Sequence, residues 1–311
     1  MRVFIAGASG AIGRRLIPML VQRGHEVVGT TRGDLDKVRA LGAEPVIMDG
    51  LDPQSVTNAV GKATPDVVVH QLTALSGPAD LRHFDRTFAM TNRLRTEGTH
   101  HLLAAARAAS AGRFVVQSFT GWTNERTGGP VKSETDPFDP DPAEGSRQSL
   151  AAIRELESTV EQASDVRGIV LRYGLFYGPG TGLGRGGDQT AMVAKRQFPV
   201  VGGGTGVWSF IHIDDAAEAT VRAIESDVTG IFNIVDDDPA PVSEVVPVLA
   251  RAIGAKPPWR LPAWLARPIA GDFAVGLMTK ARGSSNAKAR RELGWEPRHS
   301  SWRQGLPESL R

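Results

Sequence analysis

The chain has 311 residues, 41% of them apolar, which suits one large domain or two coupled ones. It contains no cysteine, so disulfides, thiolate metal sites and cysteine nucleophiles are excluded, and its 36 basic residues, mostly arginine and scattered, nearly balance 34 acidic ones and form no nucleic-acid face. No run approaches the roughly 18 apolar residues that cross a bilayer, and Met1-Arg2 leads straight into a strand with no small-residue cleavage site, so a cytoplasmic location is expected.

Val3-Phe4-Ile5-Ala6 reads as a buried strand, and Arg14 to Val21 carries apolar residues at helical spacing. Between them lies Gly7-Ala8-Ser9-Gly10-Ala11-Ile12-Gly13. Strand, glycine turn and helix in that order are the setting in which a glycine motif means dinucleotide binding. The first glycine permits the turn, the second lets backbone approach a pyrophosphate, and the third lets helix pack on strand. The helix N-terminus then meets the phosphate charge. Gly7, Ser9, Gly10, Ala11, Ile12 and Gly13 are therefore the first expected cofactor contacts. A tight turn without ligand is the plainer alternative, and the spacing is G-x-x-G-x-x-G.

His25 to Thr31 reads as the second strand. An acidic residue at its end would accept from the adenosine ribose hydroxyls. Here Thr31 and Arg32 stand there, a hydroxyl and a guanidinium that suit a 2′-phosphate. NADP is expected in preference to NAD; a merely solvated arginine is the alternative. Leu35 to Leu41 reads as a short helix, and Glu44 to Asp49 as the third strand. Asp49 at its end either faces the adenine amino group or caps the Pro53–Val60 helix. Asp66 to Leu72 is a fourth strand, apolar enough to be covered on both faces. Thr91 to Ala109 reads as a long amphipathic helix, Arg113 to Ser118 as the fifth strand, and Gly168 to Arg172 as the sixth. Strands alternating with helices predict an α/β fold with a doubly wound parallel sheet.

These features, with several later motifs, resemble the extended short-chain dehydrogenase/reductase family of the NAD-dependent epimerase/dehydratase type. Val68-Val69-His70-Gln71-Leu72-Thr73-Ala74 is similar to its "VVHLAA", and Asn92, Gly98-Thr99 and Leu102-Leu103 to its "N…GT…LL" helix. Pro130 to Pro137 is similar to "PxxExxP", Leu171 to Gly180 to "LRxxxVYGPG", Phe210 to Ala217 to "FVHVDDVA", and Leu293 to Pro297 to "LGWxP". The resemblance covers nearly the whole chain. It implies a Rossmann-type domain over 1–175, with 207–237 returning to it, and a smaller C-terminal substrate domain built mainly from 176–311. It adds Gly50, Leu72, Thr73, Gln117, Tyr173 and Phe176 to the cofactor set. It also implies a homodimer through the Thr91–Ala109 and Ser149–Gln162 helices, and a small-molecule substrate in the interdomain cleft.

The chain departs from the family where the chemistry lies. The family's acid/base is Tyr-x-x-x-Lys, the lysine bringing down a phenol whose ordinary pKa is about 10. This chain has two tyrosines, Tyr173 and Tyr177, both beyond that helix. Ser149 aligns with the tyrosine and Ile153 with the lysine. The family's Ser/Thr after the fifth strand falls on Phe119, flanked by Ser118 and Thr120, whose side chains share the opposite side of an extended segment. Trp208-Ser209 replaces an Arg-Asp that holds a nucleotide diphosphate in sugar-acting members, and an indole covers an apolar ring instead. Thr73, Phe119, Trp122 and Trp208 are therefore the expected substrate contacts. The stretch from Trp259 to Met278 is expected to be mostly core of the small domain. Gly202 to Gly206 reads as a hairpin loop, and Pro179 to Asp188 as a loop over the cleft. His100-His101 and His212 give no metal-ligand spacing, so no metal is expected.

Three functions follow. The first is an NADP(H)-dependent oxidoreductase or epimerase-like enzyme acting on an apolar or polyketide-like carbonyl or hydroxyl compound. Its rebuilt acid/base site would draw on Ser118, Thr120, Ser149 and Tyr173. The second is a non-redox cyclase, isomerase or lyase that keeps a bound dinucleotide. The third is a binding protein that senses NADP(H).

Overall fold

A computed structural model describes residues 1–75 and 80–310. Seven strands form one parallel sheet: β1 Arg2–Ala6, β2 Glu26–Thr31, β3 Glu44–Ile47, β4 Val67–His70, β5 Arg113–Phe119, β6 Arg167–Tyr173 and β7 Gly230–Ile234. Their order is β3-β2-β1-β4-β5-β6-β7. The strand order reverses between β1 and β4, and the crevice at the carboxyl ends of that pair is where such sheets bind ligands. β7 is the strand expected to return to the sheet, and it pairs with β6, Ile234 opposite Tyr173.

The central strands carry continuous apolar runs because both faces are covered; Val3, Phe4, Ile5 and Ala6 are fully buried. On one face lie α1 (Gly13–Gln22), through Leu16, Ile17 and Leu20, and the Ile213–Glu225 helix, through Ala216, Ala219 and Ile224. On the other lie the Pro53–Ala63, Thr99–Ala108 and Arg147–Glu161 helices, through Val56, Val60, Leu102, Leu103, Leu156 and Val160. Each such aliphatic side chain contributes about 1.5–3 kcal/mol by leaving water. The helix expected from Thr91 starts earlier, at Phe84, and runs to Ala108 with a π-helical turn at Leu94–Gly98. Its entry is set by Asp80, whose carboxylate accepts from Arg82 N (3.0 Å) and His83 N (3.4 Å).

A third apolar cluster gathers Tyr177, Val200, Trp208, Phe210, Val245, Val246, Leu249, Trp302 and Leu306. Short strand pairs frame it, among them Leu175–Tyr177 with Phe210–His212 and Val207–Trp208 with Ala240–Pro241. The stretch expected to be core divides in two. Phe273, Val275 and Met278 are buried, but Trp259, Trp264, Leu265 and Ile269 are exposed. The Ala263–Thr279 helix, which carries all of these but Trp259, breaks at Gly271, where φ is 83°. A side chain is strained at that φ and would stand 3.1 Å from Arg82 Cα. The first half turns its apolar residues outward, and the second carries Phe273 inward. Among the described residues no helix is long and apolar enough to cross a membrane.

Candidate active site

The glycine turn has the form a dinucleotide needs. Gly7 has φ 98°, and a Cβ there would lie 2.7 Å from Gln71 O; one on Gly13 would meet Ala8 O. The turn closes through Gly10 N donating to Gly7 O (3.0 Å) and Gly7 N donating to Thr30 Oγ1 (3.2 Å). Ser9 and Gly10 are exposed at its tip, while Ile12 sends its side chain into the core and leaves only backbone to a ligand. The first turn of α1 carries no acidic residue, so nothing there repels a phosphate.

Around this turn the strand ends supply the other crevice walls. Thr31 is buried, its hydroxyl accepting from Gly33 N (3.3 Å), whereas Arg32 is exposed and has no ion pair among the described residues. Asp49 Oδ1 accepts from Leu51 N (3.0 Å); the Pro53–Ala63 helix is capped by Asp52, so Asp49 stays on the exposed rim. Gly50 is buried under Leu72, and Thr73 is exposed. Gln117 Nε2 donates to Leu72 O (3.3 Å), tying β5 to the segment after β4. His70 shapes that segment: Nδ1 accepts from Leu72 N (3.1 Å) and Nε2 bonds Leu94 O (3.1 Å). Burial pushes its pKa down to about 4, so it is neutral.

The hydroxyls expected to do acid/base work are already engaged elsewhere. Ser118 Oγ donates to Glu157 Oε1 (2.6 Å), and Glu157 forms a buried pair with Arg172 (2.6 Å). Ser149 is fully buried; its Oγ donates to Asp85 Oδ1 (2.6 Å) and accepts from Asn92 Nδ2 (2.9 Å). Asp85 also takes the backbone N–H of Gln148 and Ser149, so this cluster caps a helix. Tyr173 turns its hydroxyl into the core toward Thr220 Oγ1 (2.7 Å), and burial pushes its pKa up to about 12, the wrong direction for a base. Its ring packs on Phe176 at 5.4 Å. Thr120 is buried against Ser284 Oγ (2.6 Å). The structure thus corrects Ser118, Ser149 and Tyr173 to packing and capping roles and leaves Thr120 in a buried hydroxyl pair. Ile153, in the family's lysine position, is fully buried.

Beyond the end of β5 the side chains form an aromatic cluster. Phe119 is half-buried and lies 6.4 Å from Trp122, which makes edge contacts with Phe84 (5.3 Å) and Phe273 (5.2 Å). Phe84 stacks on Phe88 at 4.2 Å. The sequence reading missed Phe84 and Phe88; their i, i+4 spacing was the available signal. Trp208 is a correction: it is 6% exposed, donates from Nε1 to Leu277 O (2.9 Å) and packs on Phe198 and Phe210. Its indole fills the third core and does not cover a substrate. The Pro179–Asp188 loop is fastened to α1 by Arg15, which donates to Pro179 O and pairs with Asp214 (2.6 Å). His212, Asp215 and His299 converge, but both Asp215 oxygens already accept from Arg298 N, His299 N and His299 Nδ1. His212 Nδ1 caps the following helix through Asp214 N.

Residues 3–234 match the NAD dependent epimerase/dehydratase family. The chain belongs to that family. A 3-diazoavenalumate denitrifying reductase of a Streptomyces species is 47% identical over 98% of this chain and 99% of its own length. A 2-alkyl-3-oxoalkanoate reductase of Stenotrophomonas maltophilia is 28% identical over 82% of this chain and 76% of its own. The UDP-glucose 4-epimerase of Thermus thermophilus, solved with NAD, shares the fold with a TM-score of 0.76 at 25% identity, over 99% of this chain and 97% of that one. Family and fold agree with the glycine crevice: this is a nicotinamide-dinucleotide enzyme on a Rossmann-type scaffold, of the epimerase and reductase kind.

Proposed function

We propose that this enzyme is an NADPH-dependent reductase that replaces the diazo group of an aromatic substrate by hydrogen, releasing dinitrogen. The observation that carries the reading is the acid/base half of the cleft. The sequence reading sets Phe119 at the family's Ser/Thr position, Ser149 at its tyrosine and Ile153 at its lysine; Ser149 is bonded to Asp85 and Ile153 is fully buried. Reducing a carbonyl requires a proton on oxygen as hydride arrives, and a positioned acid is worth about 10²–10⁴-fold. An arenediazonium ion requires none, because its leaving group departs as neutral N₂. A bound nicotinamide supplies the hydride, and ArN₂⁺ + NADPH → ArH + N₂ + NADP⁺ balances with no proton taken up or released. The 47% identical relative, named for a diazo substrate, supports the same reading.

The chain's residues divide the remaining work. The Gly7–Gly13 turn and the α1 N-terminus hold the pyrophosphate, and Asp49 faces the adenine. Arg32, free of other carboxylates among the described residues, takes the 2′-phosphate, which selects NADPH. Phe119 and Trp122 stack on the arene, and their ring faces favour a cation. The aromatic wall also keeps out the water that would intercept such an electrophile.

The test uses NADPH deuterated at the transferable position, with an arenediazonium substrate and an enzyme-free control. The expected product carries one deuterium on the ring carbon that bore nitrogen, none when the label is in D₂O instead, and one N₂ forms per NADPH consumed. Turnover of a ketone with an untouched diazonium would overturn the reading.

A further inference from the structure

Beyond the aromatic wall lies a cavity of about 480 Å³ between the 125–141 loop and the segment that follows the broken helix. The aromatic cluster and the cavity are built on the same two segments. Trp122 and Arg126 stand on one loop, and Phe273, Gly276 and Lys280 follow one another on and just past the second half-helix. Trp122 and Phe273 are in ring contact, and a Cβ on Gly276 would lie 3.8 Å from Arg126 Nη1. The glycine leaves open the space beside that guanidinium. A flat substrate laid on Trp122 and running along these two segments would bring its far end to Arg126, Lys280 and Arg282.

The charges lining the cavity are unequally committed. Asp139 lies 2.7 Å from Arg126 Nε and fixes that edge of the guanidinium. Asp141 faces Arg147 (3.8 Å), and Glu125 faces Lys132 (3.9 Å). Lys280 and Arg282 have no ion-pair partner among the described residues. Arg282 Nη2 donates to Arg126 O (2.7 Å), which fixes the guanidinium, and its buried Nε has no acceptor. A buried donor without an acceptor is costly, and a bound ligand is one of the few reasons a protein keeps one.

We infer that this cavity is a carboxylate subsite: Arg282 and Lys280 hold the acid group of an aromatic acid whose ring lies on Trp122. A guanidinium held by neighbouring groups matches a carboxylate's planar geometry, and the lysine adds a second charge. The inference builds on the aromatic-substrate reading and specifies which end of the molecule is recognised.

Binding without turnover tests it. Protein loaded with NADP⁺ is titrated calorimetrically with 4-hydroxycinnamate, a stable aryl acid with no diazo group, and with its methyl ester. The acid is expected to bind at least tenfold tighter than the ester. Arg282→Gln is expected to lower acid affinity at least fivefold with the ester unchanged. Because Arg282 also holds the Arg126 carbonyl, Lys280→Gln is run beside it, with thermal melts of both variants; the exposed lysine is expected to reduce the preference without shifting the melt. Equal affinity for acid and ester, or a preference that survives both substitutions, overturns the subsite. Neither measurement depends on diazo chemistry, so a failure of the proposed reduction and a failure of the subsite are separately visible.

Discussion

Ser118→Ala separates a catalytic hydroxyl from a structural one. Ser118 Oγ donates to Glu157 Oε1 at 2.6 Å, and the same carboxylate takes Arg172 Nε at 2.9 Å and Nη2 at 2.6 Å. The ionic side chains are 5% and 3% exposed, so water does not replace a lost partner. A hydrogen bond to a buried charged group is worth about 1.5–3 kcal/mol. With a denaturant slope of about 3 kcal/mol per molar, losing about 2 kcal/mol moves the urea midpoint down by about 0.7 M. Glu157→Leu goes further. It strands Arg172 in the core and costs about 3–5 kcal/mol, while Glu157→Leu with Arg172→Leu recovers most of that. Urea unfolding followed by tryptophan fluorescence reads the midpoint, and reductase activity in the cold reads the chemistry on folded protein. The expectation for Ser118→Ala is a lower midpoint with kcat within twofold of wild type. A midpoint that stays put while kcat falls tenfold would return Ser118 to the catalytic machinery and refute its structural assignment.

Arg32→Ala is expected to weaken NADPH at least tenfold and NADH less than twofold in titrations of cofactor-stripped protein, with the difference narrowing in high salt because the contact is exposed; parallel loss of both cofactors would place Arg32 elsewhere. Phe119→Ser removes a stacking face and is expected to raise KM for an arenediazonium about tenfold while leaving NADPH affinity unchanged, read from initial rates and a cofactor titration. His70 gives a pH dependence. Its folded pKa, about 4, lies below the ordinary 6.5, so between those values the unfolded chain binds the extra proton and stability falls as pH drops from 6.5 toward 4. His70→Gln is expected to flatten that part of a melting-temperature profile, and an unchanged slope would mean another group carries it.

The doubly wound sheet was legible because a strand covered on both faces carries a continuous apolar run, as β1 does over Val3–Ala6 and β4 over Val67–Val69. The glycine turn was legible because Gly7 and Gly13 tolerate no Cβ, a constraint written directly in residue type. Side-chain direction was not. Trp208 was read through the family position it replaces, yet the short strand carrying it faces a small core that needed a large ring. Ser118 and Thr120 meet Glu157 and Ser284, residues distant in sequence that no local pattern announces. The outward turn of Trp264 and Ile269 hinges on the φ of Gly271, and an apolar run does not tell a covered helix from a bare one. The start at Phe84 was missed because Asp80, which caps the Leu81–His83 turn leading into it, precedes the family's helix motif at Asn92 by more than three turns.

The two halves of the cleft have been under different demands. The dinucleotide half keeps the tight glycine turn at Gly7 and a helix N-terminus free of acidic residues, as a phosphate requires. In the half that would move a proton, the sequence reading sets Phe119 at the family's Ser/Thr position, Ile153 at its lysine and Ser149 at its tyrosine, and the hydroxyls nearby bond within the protein, Ser118 and Ser149 to carboxylates and Tyr173 to Thr220. Phe119 and Trp122 keep part of their ring surface open over the buried Phe84 and Phe273, and a flat ligand would cover it. A carbonyl reductase would have every reason to keep a donor there. An electrophile that accepts hydride and sheds a neutral leaving group is the substrate class for which both exchanges cost nothing, and that is the physical ground for preferring diazo reduction over ketone reduction on this scaffold.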